Sequence, residues 1–134
     1  MKVMLDTNIC IALIRQKSAD VLQHFNAYRV GDVCISAVTL AELRFGAAKS
    51  QATQKNHAAL DDFILALEVV PFDETVTVTY GNLRATLEKK GTPIGALDTM
   101  IAAHALQLNV VLATNNTREF ERVKGLSTVD WLTD

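Results

Sequence analysis

Short apolar runs recur along this chain, and residues at helical spacing separate each from the next. That alternation constrains the fold more than any other feature. The runs fall at residues 2–5, 33–36, 69–73, 110–114 and 126–131. The stretches 8–16, 19–28, 38–48, 57–68, 74–89, 96–108 and 117–123 read as helices. The clearest is 96–108, with apolar residues at 97, 100, 101, 105 and 108. Strands joined by helical crossovers pair in parallel, and the helices cover both faces of the sheet. The expected fold class is therefore α/β, a three-layer α/β/α sandwich around a central, mainly parallel sheet. The 134 residues fit one domain. Gly91 should close helix 74–89, and Pro71 should mark the edge or end of the third strand.

The first run, in "KVMLDTN", stops on an acid: Val3, Met4 and Leu5 read as a buried strand, and Asp6, Thr7 and Asn8 follow. In open parallel sheets, ligands bind beyond the carboxyl ends of the strands. Asn115 and Asn116 follow the run 110–114, so if the two strands are neighbours their loops open into one crevice. Alone, Asp6 is as well explained as a helix N-cap or a turn residue. Glu42 could close a capping box from Thr39, Asp98 suits the first turn of its helix, and Glu119 could be a solvated surface charge. Yet all four acids occur at a strand end or on the element just after one. Carboxylates converging on one crevice repel unless cations lie between them. Oxygen-rich sets of this kind suit magnesium or manganese, which can acidify a water and stabilise a phosphate under attack.

Other chemistries are less well supported. With Lys and Arg totalling 13 and Asp and Glu 15, the net charge of -2 argues against holding nucleic acid through bulk basic charge, though not against a local grip. Apolar stretches are too short for a bilayer, and Asp6 interrupts any signal-peptide pattern, so a cytoplasmic protein is expected. Cys10 and Cys34 lie in apolar segments without metal-type spacing and read as buried thiols. His24, His57 and His104 are scattered, and His104 is expected at the edge of its helix. Ser36 has no histidine near it in sequence and reads as a strand-end cap. P-loop, dinucleotide and nucleophile-elbow motifs are absent.

Four segments, "MLDTNI" (4–9), "ISAVTLAELRFGA" (35–47), "PIGALDTMIAAHA" (93–105) and "VLATNNTREFERV" (111–123), span nearly the whole chain. In their order and spacing they resemble the PIN-domain ribonucleases and, within them, the VapC toxins of bacterial toxin–antitoxin pairs. The resemblance implies a PIN-like sandwich and an endoribonuclease dependent on magnesium, with manganese as a possible substitute. Asp6, Glu42 and Asp98 match the core acids and Glu119 the more variable fourth. Asp6 and Asp98 would hold metal, while Glu42 and Glu119 would position water or a second ion. Thr7, Asn8, Thr114 and Asn116 would line the substrate pocket. Arg118 and Arg122 either hold flanking phosphates or pair with Glu119 and Glu121 on a solvated face.

One departure stands out. Many family members carry Asp where this chain has Asn116, so either Glu119 takes the fourth role or a second ion binds weakly. The "TNNTREF" segment resembles the subgroup that cuts initiator tRNA in the anticodon stem-loop and so inhibits translation. The resemblance further implies a VapB-type antitoxin whose tail plugs the acidic site, a homodimer, and a toxin–antitoxin hetero-oligomer that reaches operator DNA only through the antitoxin. The apolar stretches 9–14 and 57–67 are candidate interfaces, although core packing would also explain them. Two rivals remain at this stage. A haloacid-dehalogenase-like phosphatase also begins strand–Asp but needs a second Asp where Asn8 stands. A non-catalytic PIN-like binding module would have no need of four acids.

Overall fold

The computed structural model describes residues 1–16 and 19–132. In chain order the elements are β1 (Val3–Leu5), α1 (Thr7–Arg15), α2 (Ala19–Asn26), β2 (Val33–Ser36), α3 (Ala37–Lys49) and α4 (Thr53–Ile64). These are followed by β3 (Glu68–Val70), α5 (Glu74–Lys89), α6 (Ala96–Leu108), β4 (Val111–Ala113), α7 (Thr117–Phe120) and β5 (Thr128–Val129). The strands form one parallel sheet in the order β3-β2-β1-β4-β5. Val3 of β1 pairs with Val33 on one side and Val111 on the other. The chain winds outward from β1 in both directions, so the carboxyl ends of β1 and β4 flank the switch point where a crevice opens.

Side chains that alternate along a strand fill two cores. Val3, Leu5, Val33, Ile35 and Ala113 pack beneath α1, α2, α3 and α4, joined by Ile9, Leu13, Leu43 and Leu60. Met4, Cys34 and Leu112 face the other way, against Leu87 of α5 and Ile101, Ala102 and Ala105 of α6. Both thiols are buried, and burial pushes their pKa values up. Trp131, also buried, stacks on His24 and Tyr28 and pins the end of the described chain onto the α2 side.

Helices α5 and α6 have the expected bounds, and Gly91, at φ 71°, turns the chain after α5. Elsewhere tertiary pairing moved the boundaries. Helix α4 starts at Thr53, not 57, and stops at Ile64, because Glu68 to Val70 are drawn into pairing with Cys34 to Ser36. Strand β3 ends at Val70, since Pro71 has no N–H to extend the ladder. Helices α2 and α7 are shorter than expected, and β5 keeps only Thr128 and Val129 of the stretch 126–131. Helix α6 ends at Asn109, whose left-handed backbone (φ 56°) sends the chain straight into β4.

Candidate active site

The crevice has two unlike walls. The first is made by the ends of β1 and β4. The backbone N–H of Asp6 donates to the Ala113 carbonyl at 2.9 Å, which carries the β1–β4 ladder one residue further and places Asp6 on the seam. Asp6 Oδ1 accepts from the Thr7 N–H at 2.8 Å, so the residue does cap α1. Its Oδ2 accepts from the Thr114 hydroxyl at 2.8 Å. Only 6% of Asp6 is exposed. Burial raises its pKa, and the bonds from Thr114 and Thr7 pull against that rise. Thr114 Oγ1 accepts in turn from the Asn116 N–H at 3.0 Å, and Asn8 Nδ2 donates to Asn115 Oδ1 at 3.2 Å across the rim. The position a haloacid-dehalogenase-type phosphatase needs as Asp is thus an exposed amide held by another amide.

Helix α3 reaches the same mouth. The Thr7 hydroxyl donates to Glu42 Oε1 at 2.9 Å. The capping box that Thr39 and Glu42 could have closed does not form, because β2 runs directly into α3 and Ser36 caps the helix, accepting from the Val38 N–H. Thr39 instead lies buried inside α3, and its hydroxyl has no hydrogen-bond partner among the described residues. Glu42 is left facing the crevice.

The second wall is the start of α6 and the short α7. Asp98 stands in the first turn of α6, half-buried, with its pKa pushed up to about 7. Burial is the main cause, followed by the charges of Glu119 and Asp6, a side-chain hydrogen bond with Glu119, and the charge of Glu42. These interactions draw the four acids into one electrostatic unit. Glu119 Oε1 accepts from the Gly95 N–H at 3.3 Å, and the Asn116 amide donates to Glu119 Oε2. Asn116 has φ -103°, so an unusual backbone angle is not what selects Asn here. Its side chain is committed to Glu119.

The two arginines are both exposed. Arg122 Nη1 donates to the Pro93 carbonyl at 3.0 Å, clipping α7 to the loop before α6. Among the described residues the ion pairs are Lys2–Asp32, Arg44–Asp61 and Arg84–Glu88, so neither arginine pairs with Glu119 or Glu121. From the acidic mouth, past Thr7 and Glu42, runs a cleft of about 900 Å³ between α1, α3, α4 and the start of α6. Ile11, Ile14, Phe45, Leu97 and Met100 line it, and Phe45 is 65% exposed. Of the candidate interface stretches, 9–14 is mainly core, with only Ile11 and Ile14 turned to the cleft. The cleft itself escapes a sequence reading, because separate helices build it.

Among the described residues, no three His, Cys, Asp or Glu side chains form a ready metal cage. Magnesium does not require one, since it keeps several waters and binds through one or two carboxylates plus substrate phosphates. The donor set fits such an ion. The neighbouring charges of Glu119, Asp6 and Glu42 help push the Asp98 pKa up, and a bound cation would relieve that repulsion.

Comparison with known proteins places this architecture. The PIN domain matches residues 3–126. The tRNA(fMet)-specific endonuclease VapC of Shigella flexneri is 47% identical over 131 residues, covering 98% of each chain. Its Salmonella typhimurium counterpart is 45% identical with the same coverage. The structure of DNA-bound VapBC from Salmonella typhimurium superposes with a TM-score of 0.93 at 45% identity, covering 98% of both chains. VapBC2 from Rickettsia felis, bound to a promoter DNA fragment, gives 0.91 at 37% identity, covering 98% of this chain and 99% of that one. The chain belongs to the PIN-domain family and, within it, to the VapC ribonucleases. PIN-domain nucleases are generally dependent on divalent metal.

Proposed function

We propose that this chain, as one PIN domain over residues 1–134, is a magnesium-dependent endoribonuclease that cuts initiator tRNA, and that it is the toxin of a toxin–antitoxin pair. The observation that carries the reading is the gathering of Asp6, Glu42, Asp98 and Glu119 at the β1–β4 switch point, with the Asp98 carboxyl pushed up to about 7 by its surroundings. Relatives named as tRNA(fMet)-specific endonucleases, at 47% and 45% identity, support the substrate. Magnesium is preferred on abundance and hard-oxygen chemistry, and manganese would serve the same ligands.

Asp6 and Asp98 would hold the cation. When bound, it supplies Lewis-acid stabilisation of the scissile phosphate and a more acidic water. Asp6 is fixed for this task by Thr7 and Thr114, so it need not reorganise. Glu42, oriented by the Thr7 hydroxyl, orients the attacking water and takes its proton. Glu119, held by Gly95 and Asn116, steadies the opposite side. Asn8, Asn116 and Thr7 offer hydrogen bonds to the RNA at the mouth, whereas Thr114, expected to join them, is 0% exposed with its hydroxyl bonded to Asp6 and Asn116 and serves to orient Asp6. Arg118 and Arg122 hold flanking phosphates, Arg122 already anchored on Pro93.

The partner would be a VapB-type antitoxin, as in the VapBC structures. An apolar cleft leading to an acidic mouth fits a peptide with apolar anchors and a basic end. Such a complex would contain a toxin homodimer, form a hetero-oligomer, and meet operator DNA only through the antitoxin. A cytoplasmic location suits this role, and among the described residues no helix is long and apolar enough to cross a membrane.

The test is incubation of purified protein with initiator and elongator tRNAs, followed by mapping of new 5′ ends. A cut confined to the initiator anticodon stem-loop, lost in EDTA, is expected. Equal cutting of all tRNAs would overturn the substrate, and full cutting in EDTA the mechanism.

A further inference from the structure

Ser36 and His104 are 68 residues apart in sequence, yet His104 Nδ1 lies 2.8 Å from Ser36 Oγ inside the protein. Ser36 is 0% exposed and His104 1%, so His104 is not at the edge of its helix as its sequence suggested. With the charge of Asp73 felt by His104, the residue types match a Ser-His-Asp hydrolase. Burial rules that out, because no substrate reaches the hydroxyl. Ser36 Oγ is also engaged with the Val38 N–H at 3.1 Å, capping α3. Burial holds the His104 pKa below its ordinary value, with Asp73 opposing, and the Phe72 and His104 rings meet in a T-shape with centroids 5.5 Å apart. A neutral imidazole bonded to a buried hydroxyl is costly to place in a core unless the bond does something apolar packing cannot.

We propose that the Ser36–His104 hydrogen bond is a positioning pin that sets the distance between Glu42 and Asp98. The inference rests on reading those acids as one cation site. Ser36 caps α3, and Glu42 follows it by six residues, while Asp98 precedes His104 by six on α6. At 1.5 Å per residue, each acid stands about 9 Å along its helix from the pin. Helices α3 and α6 pack directly, and among the described residues no other side-chain hydrogen bond joins α6 to α3 or its cap. Beside it the contact is apolar, with Val38 of α3 packed on the cluster that holds Ile101, Ala102 and Ala105 of α6. Such apolar contact is non-directional and permits small sliding of one helix on the other. A directional bond between the cap of one helix and the middle of the other removes that freedom. Neither residue touches substrate or cation, so both are positioning residues.

The test uses the full chain and Mn2+ alone, without RNA, titrated calorimetrically beside melting curves and steady-state cleavage. His104→Leu should weaken Mn2+ binding about tenfold, the low end for an outer-shell loss, and lower kcat in step while KM for RNA stays put. His104→Asn, which returns a polar atom near the position of Nδ1, should restore most of both. Ser36→Ala should match His104→Leu, and the double variant should lose no more Mn2+ affinity than either alone. Should His104→Leu not fold, Ser36→Ala against Ser36→Thr makes the same comparison, with the hydroxyl removed or retained. A variant that melts lower but binds Mn2+ and turns over like the parent overturns the inference, leaving the pair as core packing. Asp98→Asn is the control: if it also binds Mn2+ like the parent, the cation-site reading has failed, not the pin alone.

Discussion

Asp6 and Asp98 face the same crevice from opposite walls, and the protein treats them differently. Asp6 is the more buried, yet Thr7 and Thr114 donate to its two oxygens and offset part of what burial costs. Among the described residues Asp98 has no such donors. Its partner is Glu119, another acid, and its carboxyl is held at about 7. The β1–β4 wall is thus complete as folded, whereas the α6–α7 wall is strained by charge and is relieved by a proton or a cation. One wall supplies fixed geometry, and the other makes the site respond to what binds there.

The largest effect that separates the two roles from mere structure is on cleavage. Asp6→Asn and Asp98→Asn should each lower it by more than the roughly 10–100-fold typical of outer-shell changes. Near-parental cleavage in either variant would remove that residue from the site. The two should then part company in stability. An amide at position 6 turns its NH2 toward a donor, either Thr7 N–H or Thr114 O–H. Asp6→Asn should therefore cost about 1–3 kcal/mol and lower the melting temperature by several degrees in EDTA. Asp98→Asn removes repulsion and should melt at or above the parent. If both variants shift alike, the contrast between the walls is wrong.

The pH dependence carries the same contrast with a definite sign. The folded pKa of Asp98 lies above its ordinary 3.8, so its contribution to stability is fully present below about pH 4. It is lost as pH rises through about 7. His104 works the other way: its folded pKa lies below the ordinary 6.5, so the protein loses stability as pH falls below that value. In EDTA, Asp98→Asn should abolish the loss between pH 4 and 7 and leave the His104 slope. Melting curves across that range read both.

Asn116→Asp is a smaller change. It replaces the amide donor to Glu119 with a carboxylate, so the metal-free protein should melt lower. The magnesium dependence of cleavage should move to lower concentration, about fivefold for each kcal/mol of added binding. An unchanged titration would leave Glu119 as the fourth acid and Asn116 as its tether. The smallest effect is expected from Arg118→Ala and Arg122→Ala. Each should reduce the salt dependence of RNA binding by about 0.7 in the log–log slope if it holds one phosphate of a single strand. A slope that does not move returns that arginine to the solvated surface.

How much of this the sequence carried depended on distance along the chain. Features set by neighbours in sequence were legible: the apolar run stopping at Asp6, the limits of α5 and α6, and the turn at Gly91. The T-x-x-E pattern at Thr39 left a capping box open as an alternative for Glu42, because a local motif cannot show that β2 pairing delivers the chain to Ser36 already poised to start the helix. Partners more than a hundred residues apart, Asp6 with Thr114 and Asn8 with Asn115, were suggested only by the strand-end rule. Two features had no local signal at all: the burial of His104 and the cleft between four helices. Both are products of packing across the sheet.

The central claim is that a cation takes the place of the proton on the Asp98 wall, and proton release tests it most directly. Mg2+ titrations of the RNA-free protein at pH 7, run calorimetrically in buffers of different ionisation enthalpy, count the protons lost on binding. With the Asp98 carboxyl at about 7, binding should release about half a proton at that pH and little at pH 8.5, and Asp98→Asn should abolish the release. Mg2+ binding with the same heat in every buffer, or undiminished proton release from Asp98→Asn, would contradict it.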